Sequence, residues 1–550
     1  MVLISIFPDL LRMQFFQCSP LNFEEGKFVM HELLCDLVRS VSGDAFLRAE
    51  DYKLSSEISK DVRHLSFSPT VYDSVIQFEP FKELTGLDSL LVINSSPLRS
   101  VDSLFYVDNL ASLSDLLSKS RCLRTLDLSY TNIKELPDSI EYLESLQFLG
   151  LNNTNIRKLP DSIWRLSNLQ TLELRNCCCL CELPNGIKDL VKLRHLDVWK
   201  ETGVIRTPLG IGRLTNLRTL GTFSVGELCK LSELKNLKRL RGHLRIGCLE
   251  NVGRGIDARS AFLKDKWGLK KLTLQWNRGE EKLEGNERVT TAGEFLENIR
   301  PHESLEELII RDYCGLKFPT WLANPFSELA SVTLVNCYGC HELPKLGRLG
   351  NLQYLFMQNV NGLRHVASDL GGTNTCKFHS LKSLKLWEMY ELEDWNDGEE
   401  TVFPRLESLS ISRCPRLRSL PSFISLVELS IHYCGQFPFP DLQSLRTLKI
   451  EGLQNLTSLA LPSTLDALET LEIQSCNKIS SVDGLQLLKS LKKLKLKNCP
   501  ELSFSQDARL PDALQVVDIH CSCSSLKNWC PYGFEDISGA HNQVSRKLVR

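Results

Sequence analysis

The chain has 550 residues, 24% of them charged, with 65 basic against 67 acidic side chains and a formal net charge of −2. Near-neutrality excludes a bulk electrostatic case for nucleic acid or an anionic membrane as partner. No apolar run reaches the ~18 residues a membrane span needs, and the opening MVLISIFPDLL lacks a basic flank and meets Pro8-Asp9 too early for a signal peptide.

Residues 1–62 carry no repeat. FPDLLRMQFFQCS reads as an amphipathic helix running into a strand-like FFQ, followed by a polar turn from Leu21 to Gly26. KFVMHELLCDLVRSVSG then sets Leu33, Leu34, Leu37, Val38 and Val41 on one helix face, with Gly43 as its stop. Helix, strand, turn and helix fit part of a winged-helix unit.

Residues 63–530 are a ladder. LxxLxL recurs from about Leu87 to Leu514, mostly at 23 or 24 residues, as at Leu123-Leu126-Leu128, Leu146-Leu149-Leu151 and Leu169-Leu172-Leu174. This period marks a leucine-rich-repeat solenoid of about 17 to 18 repeats, none of which buries its apolar side alone. The expected fold is α/β, a curved horseshoe with parallel strands on its concave face and a partial winged helix at its N-terminus. Early repeats close on Leu136-Pro137, Leu159-Pro160 and Leu183-Pro184, each followed by a polar pair and Ile140, Ile163 or Ile187. Proline there suits an outer turn or helix start, because it cannot donate to a strand ladder. Residues 277–300 and 361–378 are polar and off period, which predicts surface loops. Residues 531–550 have no periodicity and read as a flexible tail.

The 20 cysteines follow the repeat. Cys177, Cys337, Cys414, Cys434, Cys476 and Cys499 each fall eight residues after the first leucine of their repeat, in the consensus Asn/Cys slot. Buried thiols of this kind fill space, which predicts free cysteines in a reducing compartment. Cys177-Cys178-Cys179 and Cys181 lack the paired second cluster of a zinc site. No phosphate loop, HExxH or GxSxG motif occurs, so neither catalysis nor a metal or cofactor is expected. Asn94, Asn152 and Asn455 open N-x-[ST] triplets that chance explains.

A solenoid without catalytic motifs acts by presenting its strand face to another macromolecule. At the position between the last two leucines, Asp127, Glu173 and Asp197 give way to Lys385, Lys449 and Lys495, with Lys493 and Lys497 beside the last. That sequence of charges predicts a face running from acidic to basic, though Glu428 and Glu472 interrupt its basic half. Trp199, Trp276, Tyr354, Phe356 and Trp387 occupy strand positions expected to be exposed, with Arg311 and Asp312 nearby. Aromatics and arginine are typical interface anchors, which makes these residues the candidate protein-contact patch. The competing expectation is that flanking loops cover the aromatics as a satellite core.

FPDLLRMQFFQ, KFVMHELLCDLV and RHLSF resemble the junction between switch and repeats in plant intracellular nucleotide-binding leucine-rich-repeat disease-resistance proteins of the coiled-coil class. RCLRTLDLSYTNIKELPDSIEYLESLQFLGLNNTNIRKLPDSI is similar to that family's first repeats, and GHLRIGCLENV, LKKLTLQWN, KFPTWL and CHELPKLGRLGNLQYL to its middle block. The resemblance implies an N-terminal coiled coil, a nucleotide-binding ATPase module, a winged helix and repeats. It implies that the repeats hold the module ADP-bound and sense a pathogen effector or a modified host protein, whereupon exchange for ATP permits assembly. The ADP-reading histidine of the family's Met-His-Asp motif maps to His31, between Met30 and Glu32. Glu32 replaces the aspartate, which implies a looser lock. The nucleotide module is expected upstream of Met1, so ADP or ATP is a ligand only where that module exists, and His31 reads as a vestigial sensor. The implied partners are an effector, a guarded host protein or a nucleotide-binding module, in the cytoplasm, with the nucleus as a second compartment. A repeat scaffold without an immune role and a secreted repeat protein are the alternatives.

Overall fold

The computed structural model describes residues 41, 43–49, 58–68, 75–93, 104–200, 203–277, 286–323, 328–340, 343–360, 363–366, 378–395, 403–435, 442–504 and 511–520, together with the backbone of four short strands near the termini. The chain divides into two compact units, Met1–Arg245 and Ile246–Arg550. Each is built from leucine-rich repeats.

In the first unit an 8-stranded parallel sheet runs from Phe46–Arg48 to Thr219–Leu220. Its first strand pairs with His64–Phe67 and falls on the N-terminal side of the boundary expected at residue 62. The register sets Leu172 opposite Leu149 and Leu196, so every ladder leucine stacks on its equivalent in the next repeat. These positions are sealed: Leu149, Leu172, Leu174 and Leu196 expose nothing. Alternation along a strand puts the intervening residues on the open face.

The outer turns follow from the prolines. Pro137, Pro160 and Pro184 cap 3₁₀ helices at Asp138–Tyr142, Asp161–Arg165 and Asn185–Asp189, with φ near −67°. In each, the isoleucine points inward and its carbonyl accepts the N–H of the leucine three residues later, closing the turn. Residues Leu110–Lys119 form an α-helix, capped where Asn109 accepts the Ala111 N–H at 2.9 Å. It buries Leu113, Leu116 and Leu117 at helical spacing.

The second unit carries a parallel ladder from Gly268–Gln275 to Val516–His520. The cysteine slots hold as expected. Cys177, Cys337, Cys414, Cys476 and Cys499 are buried, Cys434 is half-buried, and all are free. The thiols of Cys177, Cys414 and Cys434 donate to the carbonyls of Leu151, Leu386 and Ile411 in the preceding repeat, at 3.1, 3.6 and 3.8 Å. Burial pushes the Cys337 thiol up to about 12, so it is unreactive at neutral pH.

The stretch 277–300 differs from the expected loop. Asn286–Asn298 is an α-helix, and its Ala292, Phe295 and Leu296, with Ile299 just past its end, form a buried stripe. It lies on the 3₁₀ helix Gly255–Ala261, where a Cβ on Gly255 would sit 2.2 Å from Glu294 Cβ and 2.6 Å from the Phe295 nitrogen. Gly255→Ala is therefore expected to lift this helix and cost about 1–3 kcal/mol. Faster amide exchange over 286–298 with unchanged exchange in the first unit is the check.

Near the N-terminus, Phe16–Cys18 pairs antiparallel with Phe28–Met30. The segment expected as a helix from Lys27 thus begins as strand. The tail expected to be flexible contains an antiparallel pair, Glu535–Ile537 with Ser545–Lys547. Of the off-period stretch 361–378, residues 361–362 and 367–377 lie outside the described residues, while Leu363 and Val366 are buried.

Candidate functional site: an aromatic hollow on the strand face

In the second unit three consecutive strands, Ser331–Val335, Tyr354–Gln358 and Ser383–Trp387, lie side by side and parallel. Their open face holds a shallow hollow of about 340 Å³, lined by Thr333, Tyr354, Phe356, Ser383, Lys385 and Trp387 among others. Tyr354 is 50% exposed and Trp387 38% exposed. Phe356 is half-buried and meets Trp387 edge to face, with ring centroids 5.1 Å apart. The Trp387 Nε1–H donates to Ser410 Oγ at 3.3 Å, which fixes the indole before any ligand arrives. Lys385 lies directly across from Phe356 and has no carboxylate partner among the described residues. Small residues surround the aromatics: Ser331, Thr333, Ser383, Ser408 and Ser410. An apolar floor, one available cation and a serine rim suit an apolar side chain with an acidic neighbour.

The other expected contact residues are distributed differently. Trp276 is 1% exposed and does not reach the strand face. It turns inward between Phe295, at 5.8 Å edge to face, and Tyr313, at 5.0 Å. The unforeseen helix supplies the large space that these aromatics fill. Tyr313 occupies the slot that cysteine fills elsewhere, and its hydroxyl donates to the Lys317 carbonyl at 2.7 Å. Trp199 is half-buried at the end of His195–Trp199, in the first unit, whereas the hollow belongs to the second. Arg311 is exposed at its strand end, but two strands from Tyr354. Asp312 has φ 58° and accepts from Asn336 Nδ2 at 2.9 Å, which places it in an edge ladder of polar side chains. Met30 ends a strand, while its side chain, His31 and Glu32 lie outside the described residues.

The expected basic half is largely neutralised. Lys449 pairs with Glu428 at 2.7 Å and Lys495 with Glu472 at 2.6 Å, each across one repeat. Reading the middle position across neighbouring strands shows why: Lys449, Glu472, Lys495 and Asp518 alternate in sign. Lys493 and Lys497 flank Lys495 on the same strand, half-buried. Ser331, Thr333, Ser383 and Lys385 complete the hollow and were not among the expected patch; the register that brings them beside Tyr354 and Phe356 was readable from the repeat spacing.

In the first unit the acidic column holds in register, with Asp197 paired to Arg175 and Glu173 in no ion pair among the described residues. Asp127 aligns with Gly150, Gly150 with Glu173, and Glu173 with Asp197. A Cβ on Gly150 would meet Asp127 Oδ1 at 2.4 Å, so the carboxylate occupies that gap. Burial raises the Glu173 carboxyl above its ordinary value of 4.5, opposed by the Asn152 amide and helped by Asp127 and Asp197. A raised folded-state value means the protonated form favours folding; that contribution is complete below 4.5 and is lost as pH rises through the folded value. Glu173→Gln keeps an acceptor for Asn152 and is expected to raise the thermal midpoint at pH 7.5. At pH 4 the gain over wild type shrinks, and an equal gain at both pH values would contradict the burial effect.

Among the described residues no three His, Cys, Asp or Glu side chains gather as a metal site, and no helix is long and apolar enough to cross a membrane.

Comparison with known proteins agrees with this architecture. Residues 231–360 match the family described as R13L1/DRL21 LRRs, and residues 121–180 match the leucine rich repeat family. A protein of Arabidopsis thaliana named for disease resistance is 38% identical over 472 residues, covering 78% of this chain and 30% of that protein. Disease resistance protein RGA2 of Solanum bulbocastanum is 34% identical over 265 residues, covering 45% of this chain and 27% of its own length. The chain thus spans less than a third of these relatives.

Proposed function

Because this chain carries the leucine-rich repeats of the plant disease resistance protein family, we propose that the strand face of its second unit recognises a protein partner in plant defence. The partner is a pathogen effector or a host protein that an effector has altered. The same repeats restrain a nucleotide switch of the kind the family resemblance implies, in the cytoplasm or nucleus. In this reading the chain binds and does not catalyse, and any ADP or ATP is held by the switch module.

The hollow at Tyr354, Phe356 and Trp387 carries the proposal. Exposed aromatics beside an unneutralised lysine, in a face that is largely serine, threonine and other polar side chains, have the composition of an interface anchor. The test is paired capture from challenged leaf tissue, wild type against Tyr354→Ala/Trp387→Ala. A protein retained by wild type, lost by the double variant and kept by Trp267→Ala, an exposed control in the same unit, supports the reading. Identical capture by all three contradicts it.

A further inference from the structure

In the first unit, Gln170, Arg194 and Arg218 each stand immediately before a strand, and backbone bonds lock them in successive repeats. The Arg194 N–H donates to the Gln170 carbonyl at 2.8 Å, Arg218 to Arg194 at 2.7 Å, and Arg241 to Arg218 at 2.7 Å. Such rungs are ~5 Å apart. Two residues earlier in these repeats stand Lys192, Asn216 and Arg239. Together the two rows line a hollow of about 150 Å³.

The hollow collects cations without carboxylates. Lys192 Nζ donates to Asn168 Oδ1 at 2.7 Å, and Arg239 Nη1 to Asn216 Oδ1 at 3.0 Å. These partners are neutral amides. None of Lys192, Arg194, Arg218, Arg239 or Arg241 forms an ion pair among the described residues. At several equivalent positions elsewhere the cation is balanced by a carboxylate, although among the described residues Arg63 and Lys382 are not. Arg124 faces Asp88 at 3.8 Å, Lys270 faces Glu306 at 2.7 Å, and Arg446 and Lys492 share Glu469 at 3.3 and 3.1 Å. His195, whose Nδ1 is 3.0 Å from Thr219 Oγ1, registers the excess: burial, then Arg241, Arg218 and Arg194, hold it below its ordinary value.

We propose that this hollow, lined by Lys192, Arg194, Arg218 and Arg239, binds a phosphate-bearing anion carrying two or more charges. Guanidinium forks match phosphate oxygens two at a time, and the volume suits a compact anion. An acidic polypeptide laid along the strand face would meet the carboxylates of Asp127 and Glu173, which disfavours that occupant.

The test is calorimetric titration of the full chain with inorganic pyrophosphate at about 150 mM salt, a screening length near 8 Å. Binding is expected in wild type, with a loss of about tenfold or more in Arg194→Gln/Arg218→Gln. Arg213→Gln is the control, since Arg213 already pairs with Asp189 at 3.2 Å. The unliganded double variant should melt no lower than wild type, because no ion pair is lost. If it does not fold, Arg239→Gln, an exposed position, replaces it, with a several-fold loss expected. Co-sedimentation with phosphatidic acid vesicles distinguishes the phosphate sources. Vesicle binding that the double variant loses, without pyrophosphate binding, assigns a lipid headgroup. Pyrophosphate binding alone assigns a free anion. Neither probe binding at millimolar concentration, equal binding by the double variant, or equal affinity for polyglutamate would overturn the proposal.

Discussion

Trp276→Ala is expected to destabilise the second unit by about 3–5 kcal/mol, the range for deleting a buried large aromatic. Its indole is 1% exposed and packs between Phe295 and Tyr313, which are themselves buried. Neither neighbour can collapse freely into the space. Phe295 belongs to the helix seated on Gly255, and Tyr313 is held by its bond to the Lys317 carbonyl. Trp321 ties the same helix by donating Nε1–H to the Leu296 carbonyl at 2.8 Å. The damage should therefore stay local, as in repeat arrays where each copy depends on its neighbours. Urea unfolding followed by circular dichroism should show the loss, and amide exchange should place it around 268–323. A loss below about 1 kcal/mol would mean that Trp276 is no core residue.

The second large effect concerns binding. Tyr354→Ala and Trp387→Ala are each expected to weaken the partner captured by wild type by about 2 kcal/mol or more, roughly 30-fold apiece. Both side chains are substantially exposed, so stability should change by no more than about 0.5 kcal/mol. Lys385→Glu separates apolar from charge contributions: it leaves the aromatic floor intact and reverses the cation among the described residues that line the hollow. Affinity falling with Lys385→Glu identifies an acidic group on the partner. Titration of purified variants against that partner gives all three values.

Much of the fold was legible because a leucine repeat states its own register. The LxxLxL positions, the prolines that open the outer 3₁₀ turns and the cysteine slots each have a fixed place relative to the strand. Residues 277–300 were not legible in this way. The helical stripe Ala292, Phe295, Leu296 and Ile299 is short and follows a polar run, so the break in the ladder dominated the reading. The misplacement of Trp276 has a simpler cause: it shares the parity of Leu272 and Leu274, so strand alternation already turns it inward, and the helix covers it there. For the candidate site, Tyr354, Phe356 and Trp387 were visible as aromatics at open-face positions. Their convergence with Lys385, Ser331 and Thr333 follows from the same repeat register, applied strand by strand. The charge gradient faded for a related reason, since Lys449 and Lys495 are each matched by a glutamate one repeat earlier.

The central claim is that the strand face at Tyr354–Gln358 and Ser383–Trp387 is the surface a partner covers. Amide hydrogen exchange of the chain, with and without the captured partner, tests it directly. Slowed exchange concentrated on these two strands and the adjoining Ser331–Val335 is the predicted result. Protection confined to the outer 3₁₀ turns, with these strands unchanged, would contradict it.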